Sequence, residues 1–236
     1  SSDDSTRSPE LRALLPGHGA SRGSALGRAR VRLPHVLDVA EQHIRQDQLD
    51  DELVRLHDAV DATRREMHSL RTRLHGALAK EVGEFLDLHA LLLDDPELLH
   101  GLDQLIRAGR YTADYALRLQ RDRLAAVFEG MDDDYFRSRR EDLDHVIGRV
   151  HAALHRRENG NGGGLSGEIL VCESVAPSEL AEWQARGVVA VVTATGSPLS
   201  HSAILARSLH LPLVLGAGEL LALANDGDAL MVDGAT

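Results

Sequence analysis

The sequence predicts an α/β domain interrupted by an inserted all-α helical bundle. Three observations carry this. From about Val36 to Arg156, apolar residues recur at helical spacing and no strand-like alternation interrupts them. The run Asn159-Gly160-Asn161-Gly162-Gly163-Gly164 then cannot hold a helix, and short apolar runs typical of buried strands follow it. Finally, Ala29 to Leu33 has the composition of a strand but only helices as sequence neighbours, so its economical partner is the C-terminal sheet. The expected domains are therefore 17–35 with 158–236 for the α/β part and 36–157 for the insertion. Residues 1–16 form a solvated linker or boundary segment, judged from the polar, Ser- and Asp-rich start.

Within the insertion, Leu49, Leu53, Leu56, Val60, Met67, Leu70 and Leu74 step by three, four and seven, an apolar stripe on one long helix. A second helix is expected over about 80–93. Asp94-Asp95-Pro96 ends it, and Pro96 suits the first turn of the next helix. Further helices are expected over 97–108, 112–129 and 133–156, with Thr112 and Asp133 as caps. Beyond the glycine-rich joint, Ile169–Cys172, Val188–Val192 and Pro212–Leu215 read as strands, and Pro177 to Arg186 as a helix between the first two. The joint is not a phosphate loop, because no strand precedes it and no Lys-Ser/Thr follows.

Composition narrows the function. The chain has 236 residues and a formal net charge of −11, which argues against a surface that neutralises DNA or RNA phosphates and suits a partner with a basic face. Aromatics are 3%, so the core must be built from Leu, Val, Ile and Ala. The single cysteine, Cys172, rules out an internal disulfide and is most simply a core residue. Nothing resembles a signal peptide or a membrane span, and a reducing cytoplasm is the plain expectation. Strand-like Ala229–Asp233 stands next to Thr236, so a segment of a longer protein is expected.

The stretch Gly196 to Arg207 carries the chemistry. A buried strand ends in a Gly/Ser/Pro turn and enters a short helix near Ser202, which puts His201 at or just before a helix N-terminus. Free N–H groups and the positive end of the dipole favour an anion there. An imidazole with a pKa of about 6.5 is largely neutral at cytoplasmic pH and is a competent nucleophile toward phosphorus. Ser200 and Ser202 offer hydroxyl donors, and Arg207 a guanidinium to balance phosphate charge. On spacing alone, a helix-capping histidine with exposed Ser and Arg neighbours is the plainer reading.

This stretch resembles the phosphohistidine signature of the phosphoenolpyruvate-utilising enzymes, Gly-Gly-x-Thr-Ser-His-x-x-Ile-x-Ala-Arg followed by a Pro-x-Val-x-Gly strand. Gly196, Ser200, His201, Ile204, Ala206 and Arg207 match it, as does Leu211 to Gly216; Ser197 and Leu199 depart. Gly17 to Gly27, Leu88 to Leu98 and Val175 to Glu179 further resemble segments of the enzyme I family of sugar phosphotransferase systems, with Arg22 replacing a Pro and Ala176 a Thr. The resemblance covers about Gly17 to Thr236. It implies a swivelling phosphohistidine β/α domain whose inserted bundle docks a small carrier protein, HPr, in a chain that is either free-standing or part of a fused multiphosphoryl transfer protein. It implies that His201 takes a phosphoryl group from phosphoenolpyruvate and gives it to a carrier histidine. A separate C-terminal domain would bind phosphoenolpyruvate and magnesium, so no cofactor, metal, nucleic acid or membrane contact is expected in this segment.

The insertion fits docking on independent grounds. Residues 36–156 hold 25 Asp and Glu against 17 Lys and Arg. Glu81, Glu84, Asp87, Asp94, Asp95 and Glu97 gather around one helix and its end, where they would steer a basic carrier or form a plain solvated face. His89 is the histidine that the resemblance places in the docking segment, although a lone helical histidine is also a common structural residue. The other histidines show no metal-ligand spacing. A phosphohistidine domain of a dikinase or an antibiotic phosphotransferase, shuttling phosphate within one chain, is the competing reading; an acidic docking block is what such a shuttle would not need.

Overall fold

The computed structural model describes residues 17–32, 39–128, 133–155, 165–196 and 200–234. In chain order, β1 (His18–Ser21) and β2 (Ser24–Arg32) precede five helices, α1 (Leu49–Arg73), α2 (Ala77–Leu93), α3 (Pro96–Gly109), α4 (Ala113–Ala126) and α5 (Asp134–His155). Strands and helices then alternate through β3 (Glu168–Cys172), α6 (Pro177–Ala185), β4 (Ala190–Thr193), α7 (His201–Ser208), β5 (Leu213–Leu215), α8 (Gly218–Leu223) and β6 (Ala229–Asp233). The described chain forms two compact units: an α/β unit of residues 17–31, 168–174 and 189–234, and a helical unit of 32–167 and 175–188. The fold class is the expected α/β domain with an inserted bundle.

In the α/β unit six strands form one sheet in the order β1-β5-β4-β3-β2-β6. The three central strands β3, β4 and β5 are parallel, with Leu170 opposite Val191 and Val192 opposite Val214. Strands covered on both faces need apolar residues at every position, which is why β3 and β4 read as unbroken apolar runs. Ile169, Val171, Ala190, Val192, Ala29, Ala217 and Val232 make one core cluster, and each buried Ile or Val contributes about 1.5–3 kcal/mol relative to exposure. The strand expected at 29–33 is the longer β2, which lies between β3 and β6 as the unpaired-edge argument required; Leu33 itself falls outside the described residues. Arg30 on β2 pairs with Glu168 on β3 at 2.7 and 2.8 Å.

In the helical unit α1 buries Leu53, Leu56, Val60, Met67 and Leu70, the predicted stripe. The caps read from the sequence, Thr112 and Asp133, are in place, and Asp95 adds a third that was not read. Asp95 accepts from the Glu97 N–H at 2.9 Å with Pro96 in the first turn, Thr112 accepts from Tyr115, and Asp133 accepts from Tyr135 at 3.0 Å. Two readings change. Residues 39–45 are not helical: the Ile44 N–H donates to the Arg110 carbonyl and the Thr112 N–H to that of Gln42, so this segment is held extended against the α3–α4 connection. Helix α1 starts only at Leu49, where Asp50, Asp51 and Glu52 complement the dipole. Helix α6, which the sequence boundaries put in the α/β part, packs in the helical unit. Buried Leu180 and Trp183 hold it there, with the Arg149 guanidinium donating to Ser178 and Arg32 paired with Glu179. The residues of the glycine-rich joint, 159–164, lie outside those described. Among the described residues no helix is long and apolar enough to cross a membrane.

Candidate functional site

The carboxyl ends of parallel strands are where α/β sheets place ligands, and the segment singled out in the sequence lies there. After β4 the chain is pinned to the turn that follows β3: the N–H groups of Ala194 and Thr195 donate to the carbonyls of Cys172 and Glu173, and the Thr195 hydroxyl donates to Glu173 as well. Gly196 then takes φ +130°, a backbone that side chains rarely adopt, and a Cβ there would meet the Leu215 side chain at 3.1 Å. Residues 197–199, which include both departures from the signature, fall outside the described residues.

Helix α7 begins at His201 with Ser200 as its N-cap, the Ser200 hydroxyl oxygen accepting from the Ala203 N–H at 3.2 Å. The histidine is thus the first helical residue, and Ser202 follows it in the first turn, at the positive end of the helix dipole. Ala203 and Ala206 are fully buried, which lets the helix backbone lie close to β1. Arg207 stands six residues further on, about 9 Å along the axis. Its Nε donates to the Ala20 carbonyl on β1 at 2.7 Å. The structure therefore brings Gly196, Ser200, His201 and Ser202 to one end of α7 and fixes Arg207 at the other.

In the helical unit Glu81, Glu84, Asp87, Asp94, Asp95 and Glu97 are all exposed. Asp87 is answered by Arg71 at 3.3 Å and Asp94 by Arg64 at 2.8 Å, while Glu81 and Glu84 form no ion pair among the described residues. Leu91, two turns beyond Glu84 on the same line of α2, is 72% exposed. His89 must be removed from this face. It is 0% exposed, with Nε2 3.1 Å from the buried Asp142 carboxylate on α5. Val82, Leu86, His89 and Leu93 step by four, three and four, so His89 occupies the core stripe of α2, a periodicity already present in the sequence.

Sequence reading also missed a polar cluster joining α4 to α5. Asp114, in the first turn of α4, has Oδ1 3.3 Å from His151 Nε2 and 2.5 Å from His155 Nε2, while Oδ2 accepts from Arg55 at 3.2 Å. Burial alone would raise the Asp114 carboxyl; hydrogen bonding from His151 and the Arg55 charge overcome it and hold the group well below the usual carboxylate range. His151 and His155 are four apart and share one helix face, a visible signal, but Asp114 joins them only through the fold.

The comparisons with known proteins agree with this architecture. The chain matches the PEP-utilising enzyme N-terminal family over residues 16–139 and the PEP-utilising enzyme mobile domain over 164–236. It is 34% identical to the phosphoenolpyruvate-protein phosphotransferase of Cupriavidus necator, across 93% of this chain and 39% of that protein. Two solved structures superpose on 94% of the chain and 90% of their own: an NMR structure of Enzyme I with TM-score 0.68 and 28% identity, and the N-terminal domain of Enzyme 1 - Nitrogen with TM-score 0.67 and 25% identity. The chain spans about two fifths of the length of the curated relative. With an N-terminal family match over the helical block and a mobile-domain match over the strands that carry His201, this chain belongs to the PEP-utilising enzymes and resembles the N-terminal part of the phosphoenolpyruvate-protein phosphotransferases.

Proposed function

We propose that His201 accepts a phosphoryl group and passes it to a histidine of an HPr-like carrier in the cytoplasm, as one step of sugar uptake. The observation that carries this reading is the place of His201: first residue of a Ser-capped helix, at the carboxyl end of a parallel strand, inside the segment that matches the mobile domain. The imidazole lone pair attacks phosphorus, an N–P bond forms as the donor's bond to phosphorus breaks, and the carrier imidazole later attacks the same phosphorus and releases His201. Oxyanion charge on the phosphoryl group is favoured by the first turn of α7, with Ser200 fixing that turn and Ser202 within it. Arg207 supports the site indirectly in this reading, by fastening α7 to β1. The ultimate donor is phosphoenolpyruvate, bound with magnesium by a domain of the longer relatives.

The carrier docks on the acidic face of α2 and the start of α3, where Glu81, Glu84, Asp87, Asp94, Asp95 and Glu97 surround exposed Leu91. An apolar centre within a charged rim is the usual anatomy of such a surface. Likeness to a phosphoenolpyruvate-protein phosphotransferase, whose name gives a protein as acceptor, favours transfer to a carrier over an intramolecular shuttle. The test is transfer from a phosphorylated carrier. Acid-labile, base-stable label should enter the chain and be lost in His201→Ala with the fold unchanged; undiminished labelling would refute the assignment.

A further inference from the structure

We infer that Asp114, His151 and His155 form a three-ligand site for a zinc-class divalent cation, which cross-links the first turn of α4 to the last turn of α5. The donor atoms of all three lie within 4.8 Å of one another. Two imidazoles and one carboxylate are borderline donors; they suit Zn²⁺ and its transition-metal neighbours and not Mg²⁺ or Ca²⁺, which prefer oxygen alone. The spacing of the histidines, i and i+4 on a helix, puts both rings on one face, where their centroids lie 4.9 Å apart.

The geometry is close to what an ion requires. Zinc bonds of 2.0–2.1 Å in a tetrahedron place ligand atoms about 3.3 Å apart, and His151 Nε2 already lies 3.3 Å from Asp114 Oδ1. His155 Nε2 is nearer, at 2.5 Å, and must withdraw by about 0.8 Å to reach the same spacing; its side chain is 34% exposed. The Asp114 side chain is mostly buried and its Oδ2 is committed to Arg55, which is itself bound to Glu52 at 2.8 Å. The carboxylate is thereby oriented with Oδ1 alone toward the imidazoles, as an outer partner orients a metal ligand. The histidine side of the cluster reaches solvent, which supplies an entry path and a water for the fourth position.

The experiment titrates the 236-residue chain with zinc chloride in chelator-free buffer, by calorimetry, beside a His151→Gln/His155→Gln double variant and a His57→Gln/His100→Gln control. One tight site per chain is expected, weakened at least about a hundredfold in the first variant and unchanged in the control. Zinc should also raise the melting temperature of the wild type and the control alone. Absence of a tight site, or equal affinity in the double variant, overturns the proposal. Should the double variant fail to fold, imidazole NMR of the wild type decides: zinc-induced shifts confined to His151 and His155 support the site, and shifts centred on other histidines overturn it.

Discussion

Replacing Glu179 by Gln should remove a pH-dependent part of the stability of the helical unit. Glu179 sits in the first turn of α6 and is buried. Burial pushes its carboxyl up, but the Arg32 charge and hydrogen bond, with His145 and Arg149 nearby, bring it down from an ordinary 4.5 to about 2. His145 is itself lowered, first by burial, so at neutral pH the arginines supply most of the compensating charge. The difference corresponds to about 3 kcal/mol at neutral pH, in line with the 3–5 kcal/mol that breaking a buried pair costs. Because the folded value lies below the unfolded one, that contribution is complete above pH 4.5 and is lost as the pH falls toward 2. Urea unfolding of wild type and Glu179→Gln, followed by circular dichroism at stepped pH, isolates the effect, since the other carboxylates titrate in both proteins. The variant should be less stable by about 3 kcal/mol at pH 7, with the gap closing through acid. A gap that stays constant with pH, or none at pH 7, refutes the reasoning.

Ser200→Ala removes the cap of α7 and should cost about 0.5–2 kcal/mol locally, read as faster amide exchange in α7 and slower labelling of His201, with Ser200→Asn restoring both. Gly196→Val forces a β-branched residue into a positive-φ position against Leu215, and should lower the melting temperature while leaving the helical unit's exchange pattern unchanged. Glu81→Lys/Glu84→Lys reverses the two acids with no ion-pair partner among the described residues. It should slow transfer from the carrier at low ionic strength, and the deficit should shrink as salt shortens the screening length to about 8 Å at physiological strength. Each exposed charge is worth only about 0–1 kcal/mol, so stability should not change.

The regular parts of the fold were legible because their causes are local. Thr112 and Asp133 cap the helices they were expected to cap, Pro96 stands in the first turn it was read into, and the parallel strands announce themselves through unbroken apolar runs. The place of His201 at a helix start was legible because strand, glycine turn and helix are consecutive in the chain; its reading as a phosphoryl acceptor came from the resemblance. What failed depended on distant partners. Residues 39–45 are held extended by backbone bonds to residues 110 and 112. The sequence boundary missed that α6 belongs to the helical unit because its anchors are Arg32 and Arg149. His89 was legible in principle from the stripe Val82, Leu86, His89 and Leu93, but the resemblance placed it in the docking segment. The cluster of Asp114 with His151 and His155 spans 41 residues, and only the packing of α4 on α5 assembles it.

The discontinuity of both units bears on how the chain is made. Strand β2 emerges from the ribosome long before β3 and β6, between which it must lie. Pairing Arg30 with Glu168 closes a loop of 138 residues, which costs a disordered chain about 4 kcal/mol. The intrahelical bonds of α1 to α5 are local, and α1 packs on α5 entirely within that interval, so a folded bundle shortens the loop to its own end-to-end distance before β3 appears. The insertion thus serves as a scaffold during synthesis: substitutions that loosen α1 to α5 should delay assembly of a sheet in which those helices have no strand.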